Sequence, residues 1–68
     1  MDIRILAKLV AARVGQDPVD LDEVLEALGV EISWLEKIKL VQSLEGIEAV
    51  YHAISGKIIL KRANVARA

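Results

Sequence analysis

A set of polar side chains is spaced so that it could face a polyanion. Ser33, Lys37, Lys39, Gln42 and Ser43 fall within roughly three helical turns, and Lys57, Lys61 and Arg62 fall in the apolar segment that follows. Lysine and arginine neutralise phosphates, and amide or hydroxyl groups can donate to phosphate oxygens and base edges. No arginine occurs between Trp34 and Leu44, although Arg to guanine is the commonest base-specific contact, so the reading surface in the first group is thin. Other chemistry has less support. His52 is the sole histidine, cysteine is absent, and Ser33 and Ser43 have no local base while Ser55 falls in a turn, so neither an activated nucleophile nor a thiolate zinc site is expected. The carboxylates Asp20, Asp22, Glu23 and Glu26 lack the alternating spacing and glycine of a calcium loop, and a solvated helix face accounts for them. We therefore expect no enzyme, no cofactor and no metal.

The local signals predict which elements hold these groups. Asp20 with Glu23 has the spacing of a capping box, and Val19 with Val24 that of a hydrophobic staple, so a helix should start at Leu21 and stop at Gly29 in the left-handed conformation. Ser33 with Glu36 repeats the box and predicts a helix from Trp34 to about Leu44, ending near Gly46. The short link Gly29 to Ser33 makes a steep helix crossing the expected arrangement. In the Trp34 helix, Trp34, Leu35, Ile38, Val41 and Leu44 should turn inward, with Glu36, Lys39 and Ser43 outermost and Lys37, Leu40 and Gln42 on the flanks. Trp34 reads as a core anchor in preference to a contact residue. Upstream, Ile3, Leu6, Val10 and Val14 line one face of a first helix over residues 3–14, opposite Arg4, Lys8 and Ala11, with Gly15 as its stop. Downstream, the β-branched run after Gly46 should form a hairpin with a two-residue turn at Ser55-Gly56, setting Ala53 near Ile58 and Tyr51 near Leu60.

Composition bounds the rest. The 68 residues read as one domain, 1–68, with an aliphatic core, since hydrophobic residues make up 54% and aromatic ones 3%. That hydrophobic share exceeds the roughly 45–50% of ordinary domains, and a homodimer or protein interface is the natural place for a surplus. There is no signal-peptide pattern and no apolar run near the roughly 20 residues of a membrane span, so a cytoplasmic protein with no membrane contact is expected. The scarcity of Asn, Gln and Cys hints at a thermophile. The formal net charge of −1 is unlike a dedicated nucleic-acid binder, but it is segregated. Asp17, Asp20, Asp22, Glu23, Glu26, Glu31 and Glu36 occur with no base among them, whereas Lys57, Lys61, Arg62 and Arg67 occupy an acid-free C-terminal third. Such a field can present one basic face, or simply serve solubility and the helix dipole.

The helix-helix-helix-strand-strand order, together with Leu21-Asp22-Glu23-Val24-Leu25-Glu26-Ala27-Leu28-Gly29-Val30, resembles the winged helix-turn-helix superfamily. The resemblance implies an α+β fold, a three-helix bundle with a C-terminal β-hairpin wing, in which Trp34 to Leu44 is the recognition helix and Ile47 to Arg62 the wing. It also implies two functions. The first is a small transcriptional regulator that binds double-stranded DNA, docking as a dimer on paired half-sites through Ser33, Lys37, Lys39, Gln42, Ser43, Lys57, Lys61 and Arg62. The second, an alternative found in the same superfamily, is a protein-protein interaction module, an adaptor or a subunit of a larger assembly, in which the acidic second helix and the aliphatic surplus make the contact.

Overall fold

Asp2, Asp20 and Ser33 each stand in extended backbone just before a helix, and each side chain accepts a bond from the first turn. They open α1 (Ile3–Arg13), α2 (Leu21–Ala27) and α3 (Trp34–Ser43) in the computed structural model of the chain, which describes residues 2–63. Strands β1 (Val19–Asp20), β2 (Ile47–His52) and β3 (Lys57–Arg62) form an antiparallel sheet in the order β1-β3-β2. The fold is thus α+β, three helices against a three-stranded sheet. Arg67, expected to extend a basic tail, lies outside the described residues.

The helix boundaries follow from local bonding. At Ser33 the capping box is complete: Glu36 N–H donates to Ser33 Oγ at 3.3 Å, and Ser33 N–H donates to Glu36 Oε1 at 3.0 Å. The box expected at Asp20 forms only in part. Asp22 N–H donates to Asp20 Oδ1 at 2.9 Å, but Glu23 makes no bond back among the described residues. Asp20 is also the last residue of β1, opposite Ile59, and its Oδ2 lies 3.7 Å from Lys57 Nζ, so it serves helix and sheet together. The α2 stop is as expected: Gly29 has φ of 71°, and Gly29 and Val30 donate to the carbonyls of Glu26 and Leu25. Those paired bonds are a Schellman motif, which satisfies carbonyls the helix end leaves open.

The end of α1 corrects the expectation for Gly15. No left-handed turn forms there; Val14 caps the helix in extended backbone, with φ −91° and ψ 124°. Arg62 supplies the stop from across the molecule, its guanidinium Nη2 donating to the carbonyls of Ala11 at 2.9 Å and Val14 at 2.8 Å. A cation on the last carbonyls also suits the negative end of the helix dipole. The Arg62 backbone N–H donates to Gly15 O at 2.8 Å, tying the same junction twice.

The hairpin register is also corrected. Tyr51 pairs with Ile58 and Ala49 with Leu60, and His52 and Lys57 close a loop of Ala53, Ile54, Ser55 and Gly56. A two-residue hairpin turn needs positive φ at both central positions or glycine at the first, and in Ser55-Gly56 only the second residue is left-handed, at 71°. The loop therefore opens to hold Gly56, whose N–H donates to His52 O at 2.7 Å. Because the slip is even, Ile58 and Leu60 keep their face.

Two-sided packing sets the core. Leu6, Ala7, Val10 and Val14 from α1 and the end that follows it meet Leu21, Val24 and Leu25 of α2, Leu40 of α3, and Ile58 and Leu60 of β3. In α3 the rotation differs from expectation. Leu40 is fully buried, Ile38, Val41 and Leu44 are half-buried, and Trp34 and Leu35 are 50% and 64% exposed. Lys37, three residues before Leu40, reaches Asp22 of α2 with an Nζ–Oδ1 distance of 2.7 Å, and this pair helps fix the turn of the helix about its axis. Among the described residues no helix is long and apolar enough to cross a membrane.

The caps have a pH signature. The Ser33 backbone N–H, then its hydroxyl, holds the Glu36 carboxyl below its ordinary pKa of 4.5, and the Arg4 backbone N–H, then its guanidinium, does the same to Asp2. A carboxyl depressed in the folded state stabilises above its unfolded pKa, and that contribution is lost as pH falls through the folded value. The thermal midpoint should therefore fall between about pH 5 and pH 3, and Glu36→Gln should flatten part of the drop. Superimposable pH profiles for the two proteins would show that the Glu36 cap contributes nothing.

Candidate functional site

Most of the polar residues spaced to meet a polyanion are occupied within the chain. Ser33 is the N-cap of α3, with its hydroxyl accepting from Glu36. Lys37 is partly buried against Asp22, and Ser43 Oγ donates back to Lys39 O at 3.0 Å, the i−4 bond typical of serine inside a helix. In the hairpin, Lys57 lies 3.7 Å from Asp20 and Lys61 3.9 Å from Glu48, while Arg62 caps α1. The Lys61 pair is half-exposed on both sides and contributes little on its own. The Lys57 pair is tighter in context, because the Asp20 side chain is only 13% exposed. On the α1 side, Arg4 pairs with its own cap, Asp2, at 3.4 Å.

Lys39 and Gln42 remain exposed on α3, one turn apart, and among the described residues Lys39 has no ion pair. These two, with Lys8 and Arg13 exposed on α1, are what is left for phosphate. The expected basic strip is thus not gathered on one face: its members are spread over the α2–α3 contact, the sheet and the end of α1. His52 lies on β2 opposite Lys57, exposed. Among the described residues no three potential metal-ligating side chains come together.

A different surface is assembled where α3 passes the hairpin. Trp34 begins α3 and Tyr51 stands on the core-side face of β2, paired with Ile58; their rings are 5.6 Å apart and tilted by 59°. That geometry lies within the range of favourable tilted aromatic pairs. Behind them Ile38, Val41, Gln42, Ala49 and Ile58 line an open groove of about 340 Å³. The groove is walled mainly by carbon, with Gln42 as its polar side, and its aromatic lip is half in solvent, with Tyr51 56% exposed. Ile54, at the loop tip, extends the lip beside Tyr51 and is fully exposed.

The aromatic lip did not emerge from the sequence for a specific reason. Trp34 sits at an inward position if α3 is centred on Ile38, and moves to the rim once Leu40 and Lys37 set the rotation. The hairpin register then brings Tyr51 to it. A signal was available: Tyr51 and Ala49 share a strand face, and a large residue beside a small one leaves a hollow.

The structural role of Arg62 is testable. Arg62→Ala should lower unfolding free energy by about 1.5–3 kcal/mol, the range for hydrogen bonds to a charged group, as read from the denaturant midpoint. Lys39→Ala should move it by less than about 0.5 kcal/mol. Equal effects would contradict the assignment of Arg62 as the cap of α1. Comparison of the chain with protein-family models, with curated proteins and with solved structures finds no match.

Proposed function

We propose that this chain is a winged-helix module whose work is to bind another protein through the groove between α3 and the hairpin. The order α1-β1-α2-α3-β2-β3, with a hairpin directly after α3, supports the winged-helix reading, in which β2 and β3 form the wing. The observation that carries the functional reading is the half-exposed Trp34–Tyr51 pair over an apolar groove. Tyrosine and tryptophan are the residues in which binding energy concentrates at protein interfaces, and they lose few rotamers on docking. The partner it suits is an apolar segment of another chain that fills the groove and covers the two rings.

Binding of duplex DNA is the second reading, favoured by Lys39, which is exposed on α3 and has no ion pair among the described residues. Salt separates the two. Phosphate contacts release counterions, so DNA binding weakens steeply as salt rises, whereas apolar docking does not. A labelled duplex titrated at about 50 mM salt, where electrostatic binding is strong, should show no saturable association. In parallel, a protein captured from the native extract by the wild type should be lost with Trp34→Ala or Tyr51→Ala. Truncating such an anchor weakens binding by about 30-fold, equivalent to ~2 kcal/mol. Tight duplex binding that Lys39→Ala reduces, with its salt slope, would overturn the protein-binding reading in favour of DNA.

A further inference from the structure

The two edges of the sheet are treated differently. Since the strand order is β1-β3-β2, β1 and β2 each present a row of backbone groups with no strand beside it among the described residues. The β1 edge is blunted in the ways proteins ordinarily use: it is two residues long, follows Pro18, and carries Asp20 in an ion pair. The β2 edge has less of this protection, its one acid being Glu48, 3.9 Å from Lys61. It is six residues long, contains no proline, glycine or lysine, and is exposed from Glu48 to His52. Val50 and Tyr51 are each 56% exposed on its two faces. A strand of this kind is a template for another strand.

From this we infer that β2 pairs antiparallel with β2 of a second copy of the chain, joining two three-stranded sheets into one of six strands. The pairing rests on the edge of β2 and holds whether or not the α3 groove binds a partner. Symmetry restricts its register. A two-fold axis that makes two copies of one strand antiparallel stands normal to the sheet, so each face continues into the same face of the other copy, and some residue must sit opposite itself.

Side-chain chemistry selects that residue as Val50. With Val50 on the axis, Glu48 faces His52 of the second copy and His52 faces its Glu48, so each carboxylate can accept from an imidazole N–H. Glu48 is flanked on its other side by Lys61 and His52 by Lys57, giving an ordered row across the outer face. Beside it, Ile59 and Val50 meet Val50 and Ile59 of the second copy in an unbroken apolar row. On the inner face Ala49 faces Tyr51 of the second copy, small against large. An axis at Ala49 would set Glu48 against Val50, and one at Tyr51 would set Val50 against His52, each placing a polar or charged group opposite an apolar one. Cross-strand pairs of opposite charge and of matched apolar shape are the ones that stabilise a sheet.

Cysteine cross-linking reads this register directly, because the chain has no cysteine of its own. Residues directly opposite in an antiparallel pair have Cα atoms about 4.5–5.5 Å apart, inside the disulfide range of about 4.4–6.8 Å. On mild oxidation Val50→Cys should form a covalent dimer rapidly. Glu48→Cys and His52→Cys should each stay largely free of cross-links alone but form a mixed covalent dimer when combined. Ile54→Cys, at the exposed loop tip, reports random collision. Sedimentation of the intact chain should show a concentration-dependent dimer. Glu48→Lys should weaken it by a few-fold to about tenfold, and adding His52→Glu should restore it. A monomer at all concentrations, a dimer in which Val50→Cys cross-links no faster than Ile54→Cys, or self-cross-linking of Glu48→Cys would each overturn the inference.

Discussion

Leu60 has no exposed surface and stands between Val19 of β1 and Ala49 of β2, on the central strand, which pairs with both and packs against α2. A strand in that position cannot move without opening both sides of the sheet and uncovering α2. The chain reinforces it at both ends. At one, Arg62 reaches Ala11 and Val14 through its side chain and Gly15 through its backbone; at the other, Lys57 binds the carboxylate that caps α2. Lys57 and Arg62 of β3 are therefore cross-ties between the sheet and two helices, while Lys61 pairs with Glu48 inside the sheet. With no buried polar or charged residue among the described residues, such rim contacts supply the directional bonds that apolar packing lacks.

This arrangement bears on what the charged residues can do. Lys57 and Arg62 look from spacing alone like a phosphate rail, because sequence shows that a lysine is present but not which acid lies beside it in space. Asp20 and Lys57 are far apart in the chain, as are Arg62 and the α1 carbonyls, and only the antiparallel return of β3 brings each pair together. What could be read in advance was local: the Ser33 box with Glu36, the Asp20 cap and the left-handed stop at Gly29 all depend on residues within five positions of one another. The core faces of α1 and α2 were legible for the same reason, since their apolar stripes are narrow. The broad apolar arc of α3 left its rotation open, and contacts with α1 and with Asp22 decided it in favour of Leu40. The strand β1 was missed because two residues are too few to show alternation.

The surface proposed for binding follows from the same geometry. Turning Leu40 inward turns Trp34 outward, and the four-residue loop at Ala53 to Gly56 shifts β2 so that Tyr51 arrives beside it. One packing choice thus creates the exposed aromatic pair and the groove behind it. Part of the excess of apolar residues noted in the composition lies there and along β2, and part on α1, where Ile5 and Leu9 are exposed, and at Leu35 and Ile54. A chain that ties its cations to its own helices and leaves aromatic rings in water is better fitted to cover apolar surface than to follow a phosphate backbone.

The central claim is that Trp34 lies at an open rim and not in the core, and as the sole tryptophan it reports on itself. Acrylamide quenching of its fluorescence in the folded protein measures this directly. The account predicts a solvent-shifted emission and a quenching constant roughly half that of the urea-unfolded chain, in line with its 50% exposure, and a change in both when Tyr51→Ala removes the neighbouring ring. A blue-shifted emission resistant to quenching and indifferent to Tyr51 would mean that Trp34 is a core residue, and the groove with its proposed function would fall.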